Sequence, residues 1–281
     1  MKRRLPFQLT LRLVSVSIIM LASYSAQALV APGQASISES EGALQHYVKR
    51  ALKRDTFPYW NNVGQIDRST GVYLGSGYVL TAAHVGPGTF RLSDGSRYDA
   101  VRGSAQFFKN SDGSTADLCL FKIEFSNRDS VSKLPFIPLT TMVPKSGTQL
   151  LLLGAGAGGR ASASDAYSWT EDYTLRWGTN SIEQIYTAPM STSNYSSFGF
   201  AAKFGRGVHE CQAAPGDSGG AAFHYNPDAK RWELAGVIVA VDSDFGRAEY
   251  GNQTYIADPA LFRRELAVTQ RGKNGFLANI R

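Results

Sequence analysis

The sequence predicts an all-β fold, either a sandwich or a pair of barrels, because short apolar runs separated by turn signals dominate it. A strand, a tight glycine turn and a second strand are predicted over Gly71–Val85. A hairpin pattern centred on Asp94-Gly95 covers Phe90–Val101. Another hairpin, with NPDAK as its turn, covers Ala221–Val241. Many short strands at such close spacing are typical of all-β proteins.

Two longer apolar runs predict buried strands, one at Ala116–Phe125 (ADLCLFKIEF) and one at Thr148–Gly156 (TQLLLLGAG). The glycine run Gly154–Gly159 has no following helix and no ribose-binding acid, so it is interpreted as a strand exit and not as a phosphate loop. One helix is predicted near the C-terminus, in DPALFRRELAV. There Asp258 suits the N-cap and Pro259 the first helical position.

Residues 1–28 have the pattern of a secretory signal peptide. The basic MKRR precedes the apolar Leu13–Ala22, and AQA at Ala26–Ala28 is a small-x-small cleavage site. The alternative is an uncleaved anchor, since Leu13–Ala31 has no charge and almost suffices to span a membrane, although Ser and Gln dilute it. We therefore expect a secreted or periplasmic protein that begins near Leu29, without stable membrane insertion once the signal is removed.

The charge of the chain gives no reason to expect a nucleic-acid partner. The formal net charge is +6, but four of the 29 basic residues and no acidic residue lie in the signal segment. The remainder carries 25 basic and 23 acidic residues, a net charge of +2. No basic stripe with interleaved aromatic residues stands out.

Cysteine and histidine usage also narrows the possibilities. With only Cys119 and Cys211, a disulfide framework is excluded, and we expect both thiols to be free. The four histidines are scattered without zinc spacing, so we expect no metal and no cofactor.

Residues 29–54 are polar and mixed and end in two basic pairs, which indicates an N-terminal extension or propeptide.

The stretch APGDSGGAAF (Ala214–Phe223) places Ser218 between an aspartate and two glycines just before an apolar strand. Glycine adopts backbone conformations closed to other residues and lets another group approach the main chain closely. A site that presents backbone N–H groups to an anion requires both properties. The alternative interpretation of such a stretch is a polar β-turn.

A serine hydroxyl becomes an effective nucleophile when an imidazole takes its proton and a carboxylate orients that imidazole. His84 ends the predicted strand GYVLTAAHV, and Asp117 lies at the mouth of the buried strand ADLCLF, where it would be partly desolvated and need a partner. Three other aspartates, in turn-like polar stretches, are interpreted as solvated turn residues: Asp94, Asp99 and Asp112. The pattern favours His84, Asp117 and Ser218 as one constellation.

The segments GSGYVLTAAHV, TADLCLF and APGDSGGAAF resemble the three signature segments of the chymotrypsin/trypsin family of serine endopeptidases. FPYW, SGTQLLLLGAG and NQTYIADPALF agree, so the likeness runs from about residue 57 to residue 268. It implies two six-stranded antiparallel β-barrels with a C-terminal helix, the first in residues 55–145 and the second in residues 146–281. The cleft between them would hold His84 and Asp117 from the first barrel and Ser218 from the second.

The resemblance also implies an activity, the hydrolysis of peptide bonds in protein or peptide substrates through an acyl-enzyme. His84 would act as general base and then acid, Asp117 would stay ionised, and the N–H groups of Gly216 and Ser218 would form the oxyanion hole. An α/β-hydrolase is excluded, because that fold places Asp and then His after the serine, and only His224 follows here. The alternative is a catalytically silent binding protein, but such proteins usually lose a triad member.

The chain departs from the family in two places. Animal digestive members free an Ile/Val-Val-Gly-Gly terminus whose ammonium pairs with the aspartate before the serine, here Asp217, but about a dozen residues before FPYW this chain reads LQHYVKR. Either an internal Arg, Lys or hydrogen bonds hold Asp217, or cleavage after Arg50 or Arg54 creates a different terminus.

Specificity is the second departure. The residue six before the serine lines the floor of the family's primary substrate pocket, and here it is Gln212, where trypsin has an aspartate. The pocket wall would come from Gly236–Asp244, in which the family's Ser-Trp-Gly is absent. Val241 would narrow the pocket, whereas Asp242 or Asp244 would supply a charge for a basic side chain.

Overall fold

Strands make up most of the protein. The computed structural model describes residues 29–31, 40–156, 158–163, 166–191, 194–243 and 246–270. The strands of the N-terminal half are β1 (Val63–Ile66), β2 (Ser69–Gly75), β3 (Tyr78–Thr81), β4 (Phe90–Arg91), β5 (Arg97–Tyr98), β6 (Gln106–Lys109) and β7 (Thr115–Lys122). The later strands are β8 (Gln149–Gly154), β9 (Gly159–Ala163), β10 (Ala166–Trp169), β11 (Arg176–Ile185), β12 (Met190–Ser191), β13 (Ser196–Ser197), β14 (Gly199–Lys203), β15 (Ala221–Asn226), β16 (Arg231–Val241), β17 (Arg247–Glu249) and β18 (Gln253–Ala257).

The first seven strands form one antiparallel sheet in the order β5-β4-β1-β2-β3-β7-β6. The chain beyond β5 returns to the end of β7, where Ala100 bridges Ile123 and the N–H of Val101 donates to the carbonyl of Lys122 at 2.8 Å. The sheet therefore curls on itself around an apolar core, and the short strand β6 lies outside β7 as an additional edge.

The second half contains a closed six-stranded barrel, in the order β11-β14-β18-β16-β15-β8, with antiparallel neighbours throughout. Two small sheets accompany it, one of β17, β10 and β9 and one of β12 and β13. Together with the curled first sheet and the helix at the C-terminal end, this barrel confirms the predicted all-β fold class.

The C-terminal helix begins as the sequence predicts. The side chain of Asp258 accepts a hydrogen bond from the N–H of Ala260 at 2.8 Å, and Pro259 occupies the first turn. The helix is irregular: a 3₁₀ turn at Pro259–Phe262 precedes α2 (Arg263–Leu266) and a further 3₁₀ turn at Ala267–Gln270. Phe262 packs 4.9 Å from Phe108 of β6, measured between ring centroids, so this helix joins the C-terminal end to the first sheet.

A second helix, α1 (Glu41–Arg50), lies in the segment that the sequence indicates only as a polar extension. Ser40 caps it, with its Oγ accepting from the N–H of Ala43 at 3.2 Å. Leu44 and Val48, four residues apart on one face, are fully buried in the core that also holds Trp177. Ala43 and Tyr47 pack beside them, and this short, mostly polar segment makes a weak sequence signal, so tertiary packing stabilises the helix.

The two thiols are free, as predicted. Cys119 lies in β7 and Cys211 follows the second-barrel strand β14, and both are buried. Burial raises the pKa of the Cys119 thiol to about 12 and raises the pKa of the Cys211 thiol well above its ordinary value. Within the described ranges, no helix is long and apolar enough to cross a membrane.

Candidate active site

His84 and Asp117 meet at one end of the first sheet. His84 follows β3, Asp117 lies in β7, and these strands pair with Thr81 opposite Cys119. The Nδ1 atom of His84 lies 2.7 Å from Oδ2 of Asp117, and the backbone N–H of His84 donates to Oδ1 at 3.0 Å. Asp117 is 2% exposed, whereas the His84 side chain is 37% exposed. A buried carboxylate thus holds the ring through Nδ1 and leaves Nε2 free for chemistry.

A loop of the second half covers this aspartate. The Oγ of Ser197 in β13 accepts a hydrogen bond from the N–H of Asp117 at 2.8 Å. Next to it, Asn110 donates a side-chain hydrogen bond to the carbonyl of Ser196. Tyr195 packs against the core of the first sheet, and burial followed by the charge of Asp117 raises the pKa of its phenol. Sequence reasoning missed this cover, because nothing distinguishes Ser197 within the serine-rich stretch STSNYSS.

Thr70 in β2 fastens the Ser218 segment to the first sheet. Its N–H donates to the carbonyl of Ser218 at 2.9 Å, and its hydroxyl donates to the carbonyl of Gly216 at 2.8 Å. The same hydroxyl accepts from the N–H of Ala155 at 3.0 Å, and the carbonyl of Thr70 accepts from the hydroxyl of Thr81 at 2.7 Å. Thr70 is fully buried. One residue therefore contacts the nucleophile segment, β3 and the exit of β8.

A glycine must follow Ser218, because a side chain at position 219 would overlap the first sheet. The φ of Gly219 is +87°, and a Cβ at this position would lie 1.9 Å from the carbonyl oxygen of Thr70 and 2.2 Å from Oγ1 of Thr81. Thr81 is three residues before His84, so this close approach brings the serine segment against the strand that carries the histidine. The Ser218 side chain is half-buried, and its Oγ has no hydrogen bond to a described residue, His84 included.

Two backbone N–H groups of the Ser218 segment, those of Gly216 and Ser218, have no partner among the described residues. Gly216 has a φ of 94°, and the N–H of Asp217 donates to the carbonyl of Ala214 at 3.0 Å. Backbone N–H groups without a partner on either side of a bonded one are suitable donors to an anion such as an oxyanion.

Asp217 is fully buried and has internal partners. Its Oδ2 accepts from the N–H of Ala214 at 2.9 Å and its Oδ1 from the N–H of Gly156 at 3.3 Å. The positive charge of Arg176 also favours the ionised carboxylate, but burial outweighs these effects and raises the pKa of Asp217 well above its ordinary value. The uncleaved chain thus holds Asp217 through internal partners, and a different terminus created by cleavage after Arg50 or Arg54 stays a prediction.

The glycine run after β8 makes room for this buried charge. A Cβ on Gly154 would lie 2.0 Å from Oδ1 of Asp217, and one on Gly158 would lie 3.2 Å from the guanidinium carbon of Arg176. Arg176 is itself 2% exposed and donates to Asp172 at 2.8 Å. The run is the exit of β8, as expected. The sequence did not reveal that its glycines also leave room for Asp217 and Arg176.

Gln212, predicted to line the floor of the substrate pocket, is fully buried. Its backbone pairs with Val30 through hydrogen bonds of 2.8 and 2.9 Å, and its Nε2 donates to the carbonyl of Asp242 at 2.7 Å. Its Oε1 has no partner among the described residues. Asp242 turns its carboxylate the other way, accepting from the hydroxyl of Tyr255 at 2.9 Å and from the N–H of Gln253 at 3.0 Å. Position 244 lies outside the described residues.

Asp94, Asp112 and His224 have partners other than His84 and Asp117. Asp94 and Asp112 lie in exposed turns, where each accepts hydrogen bonds from the serine two residues on. His224 lies in β15, with Nε2 3.7 Å from Glu233 in the neighbouring strand. In the described part of the chain, no three His, Cys, Asp or Glu side chains group so as to hold a metal ion.

Comparison with known proteins agrees with the geometry. The family model described as the trypsin-like peptidase domain matches residues 69–237, more than half of the chain, so the chain belongs to the trypsin-like peptidase family. This confirms the resemblance drawn from the three sequence segments and defines a serine protease scaffold. A comparison with curated proteins found no significant match.

Among solved structures, the chain is similar to Rv3671c from M. tuberculosis H37Rv, in the inactive form of a serine-to-alanine mutant. The TM-score is 0.49 at 14% sequence identity, and the match covers 82% of this chain and 94% of that chain.

The contact at Gly219 predicts the effect of adding one methyl group. Gly219→Ala should lower the free energy of unfolding by more than about 3 kcal/mol, because both the positive φ and the overlap with Thr70 oppose a Cβ. Gly95→Ala is the matched control, since its φ is +86° with nothing within 4 Å of the added atom, and it should cost only about 1 kcal/mol. Urea unfolding of both variants makes the measurement. Equal losses would contradict the close approach.

Proposed function

We propose that the mature protein is a secreted serine endopeptidase that hydrolyses peptide bonds in protein substrates through His84, Asp117 and Ser218. The observation that carries the proposal is the 2.7 Å contact between Nδ1 of the exposed His84 and the buried Asp117 carboxylate. The Ser218 segment packs against Thr81 in β3, the strand that leads to His84 and pairs with the strand that carries Asp117. Membership of the trypsin-like peptidase family supports peptide-bond chemistry.

In the proposed reaction, Nε2 of His84 takes the proton of Ser218 as its Oγ attacks the scissile carbonyl carbon. The protonated histidine then gives this proton to the leaving nitrogen, the C–N bond breaks, and an ester to Ser218 remains. Water attacks that ester with His84 again as base, which releases the acid and restores the serine. Asp117 stays ionised throughout, because it stabilises the histidine cation and fixes its orientation.

The free N–H groups of Gly216 and Ser218 are the proposed oxyanion donors. As the carbonyl oxygen becomes negative, each N–H shortens a hydrogen bond to it without breaking one elsewhere, since neither has a partner among the described residues. One such donor contributes about 3 to 4 kcal/mol to the transition state in related sites. The hydrogen bond from Thr70 to the carbonyl of Gly216 fixes the Gly216–Asp217 peptide, which lies between the two donors.

Export is part of the proposal, supported by the signal pattern in residues 1–28. Cleavage after Ala28 leaves Leu29 first, and Leu29 and Val30 are 2% and 0% exposed in the second barrel. Val30 pairs with Gln212, so the first residues of a chain that begins at Leu29 are part of this fold.

A fluorophosphonate probe tests the triad. The mature protein should be labelled at Ser218 alone, Ser218→Ala should abolish labelling, and His84→Ala should slow it by orders of magnitude. Asp117→Asn should lower turnover of a peptide substrate about 10⁴-fold, because the imidazole is then held in the wrong tautomer. Circular dichroism should show that each variant is folded.

Asp112→Asn is the matched control, because Asp112 is an exposed turn carboxylate. It should label and turn over substrate like the unmodified protein. If Asp112→Asn inactivates and Asp117→Asn does not, the carboxylate is wrongly assigned. If the correctly processed, folded protein resists the probe, the silent binding protein becomes the better account.

N-terminal sequencing of the exported protein tests the processing. We expect the chain to begin at or near Leu29, or further on if the extension is removed, and to be found in the periplasm or the medium. Recovery of residues 1–28 on membrane-bound protein would instead favour the anchor.

A further inference from the structure

We propose that this site accepts only short, uncharged side chains, of the size of alanine, serine or valine, on the acyl side of the bond that is cut. The inference rests on the proposed peptidase function and adds its substrate class. Of the possibilities that the sequence left open, it takes the narrow pocket at Val241 over a charge from Asp242; Asp244, the other candidate for a charge, lies outside the described residues.

The space beside Ser218 lies between two segments, residues 212–220 and residues 238–242, which are hydrogen-bonded to each other at both ends. Next to the serine, the N–H of Gly219 donates to the carbonyl of Ile238 at 2.8 Å, and Ile238 donates in return to Gly220 at 2.8 Å. At the far end, Gln212 donates to the carbonyl of Asp242 at 2.7 Å. In the substrate orientation that the family resemblance implies, a carbonyl bound by the N–H groups of Gly216 and Ser218 directs its adjoining side chain between residues 212–217 and residues 239–242.

The far end of this space is closed, since Gln212 is 0% exposed. The residues nearest to Gln212 on its own segment are Ala213 and Ala214, with 0% and 2% exposure. From the facing segment, the half-buried Val241 packs against the apolar cluster that contains Ala213. A long side chain would have to displace Val241 or break the hydrogen bond of Gln212, so only a short one fits.

The acidic residues that the structure describes beside this space, Asp242 and Asp217, offer no free charge to a basic substrate. Both carboxylate oxygens of Asp242 already accept hydrogen bonds, from Tyr255 and Gln253 of β18. Both oxygens of Asp217 accept backbone hydrogen bonds on the side of Gly156 and Ala214. A lysine or arginine side chain would therefore be desolvated there without a free counter-ion, which is strongly unfavourable.

Peptidyl diphenyl phosphonates that differ only in the residue attached to phosphorus test the inference directly. Fluorophosphonate labelling of one sample first shows that the mature protein is reactive. With unlabelled protein, phosphonates bearing the alanine or valine side chain should then react at least about tenfold faster than those bearing phenylalanine or lysine. Faster reaction of the phenylalanine or lysine compound would overturn the inference while leaving the peptidase function intact. A protein that neither reagent class labels would overturn both.

Variants separate the two walls. Val241→Gly, or the milder Val241→Ala, should raise the rate of the phenylalanine compound relative to alanine at least about tenfold. Val208→Gly is the control, since Val208 is a surface valine with 61% exposure, and it should leave this ratio unchanged. Asp242→Asn, which removes the charge but keeps the size of the side chain and one acceptor oxygen, should leave the lysine rate as low as before. An unchanged ratio in both Val241 variants, or a lysine rate that depends on Asp242, would contradict the inference.

Discussion

The arrangement of the candidate active site depends on the hydrogen bonds of one buried threonine, Thr70. Its N–H, hydroxyl and carbonyl connect the carbonyls of Ser218 and Gly216, the N–H of Ala155 and the hydroxyl of Thr81. Thr70 is fully buried, so water cannot replace a hydrogen bond that is lost there. Each bond left unmade would cost about 1 to 3 kcal/mol. The nucleophile segment is consequently fixed to the first sheet, and not merely to its own barrel.

A fully buried carboxylate lies directly behind the nucleophile, and the chain around it is adapted to that burial. Backbone N–H groups bind Asp217, the charge of Arg176 opposes its desolvation, and Gly154 leaves space for its oxygen. Burying such a group is unfavourable by itself. The buried carboxylate instead contributes position. Because the N–H groups of Ala214 and Gly156 bind it, it fixes the backbone on either side of Asp217, and that backbone carries the N–H groups of Gly216 and Ser218.

The sequence predicted the fold class because strand patterns and turn residues are local, and it predicted the placement of His84 and Asp117 because three short segments resemble one family. It missed α1, in which only Leu44 and Val48 are fully buried. It also missed Thr70, for an isolated threonine gives no sign of partners 85 and 146 residues away along the chain. The same limit applies to the closing of the space at Gln212, which depends on a hydrogen bond across 30 residues.

The hydroxyl of Thr70 therefore gives the most direct test of this account. The rate of fluorophosphonate labelling at Ser218 should be measured for the mature protein, for Thr70→Ser and for Thr70→Val. Serine keeps the hydroxyl and should react nearly as fast, whereas valine leaves the carbonyl of Gly216 and the N–H of Ala155 unpaired and should react about 100-fold more slowly. A folded Thr70→Val that labels at the unmodified rate would contradict the claim that this residue assembles the site.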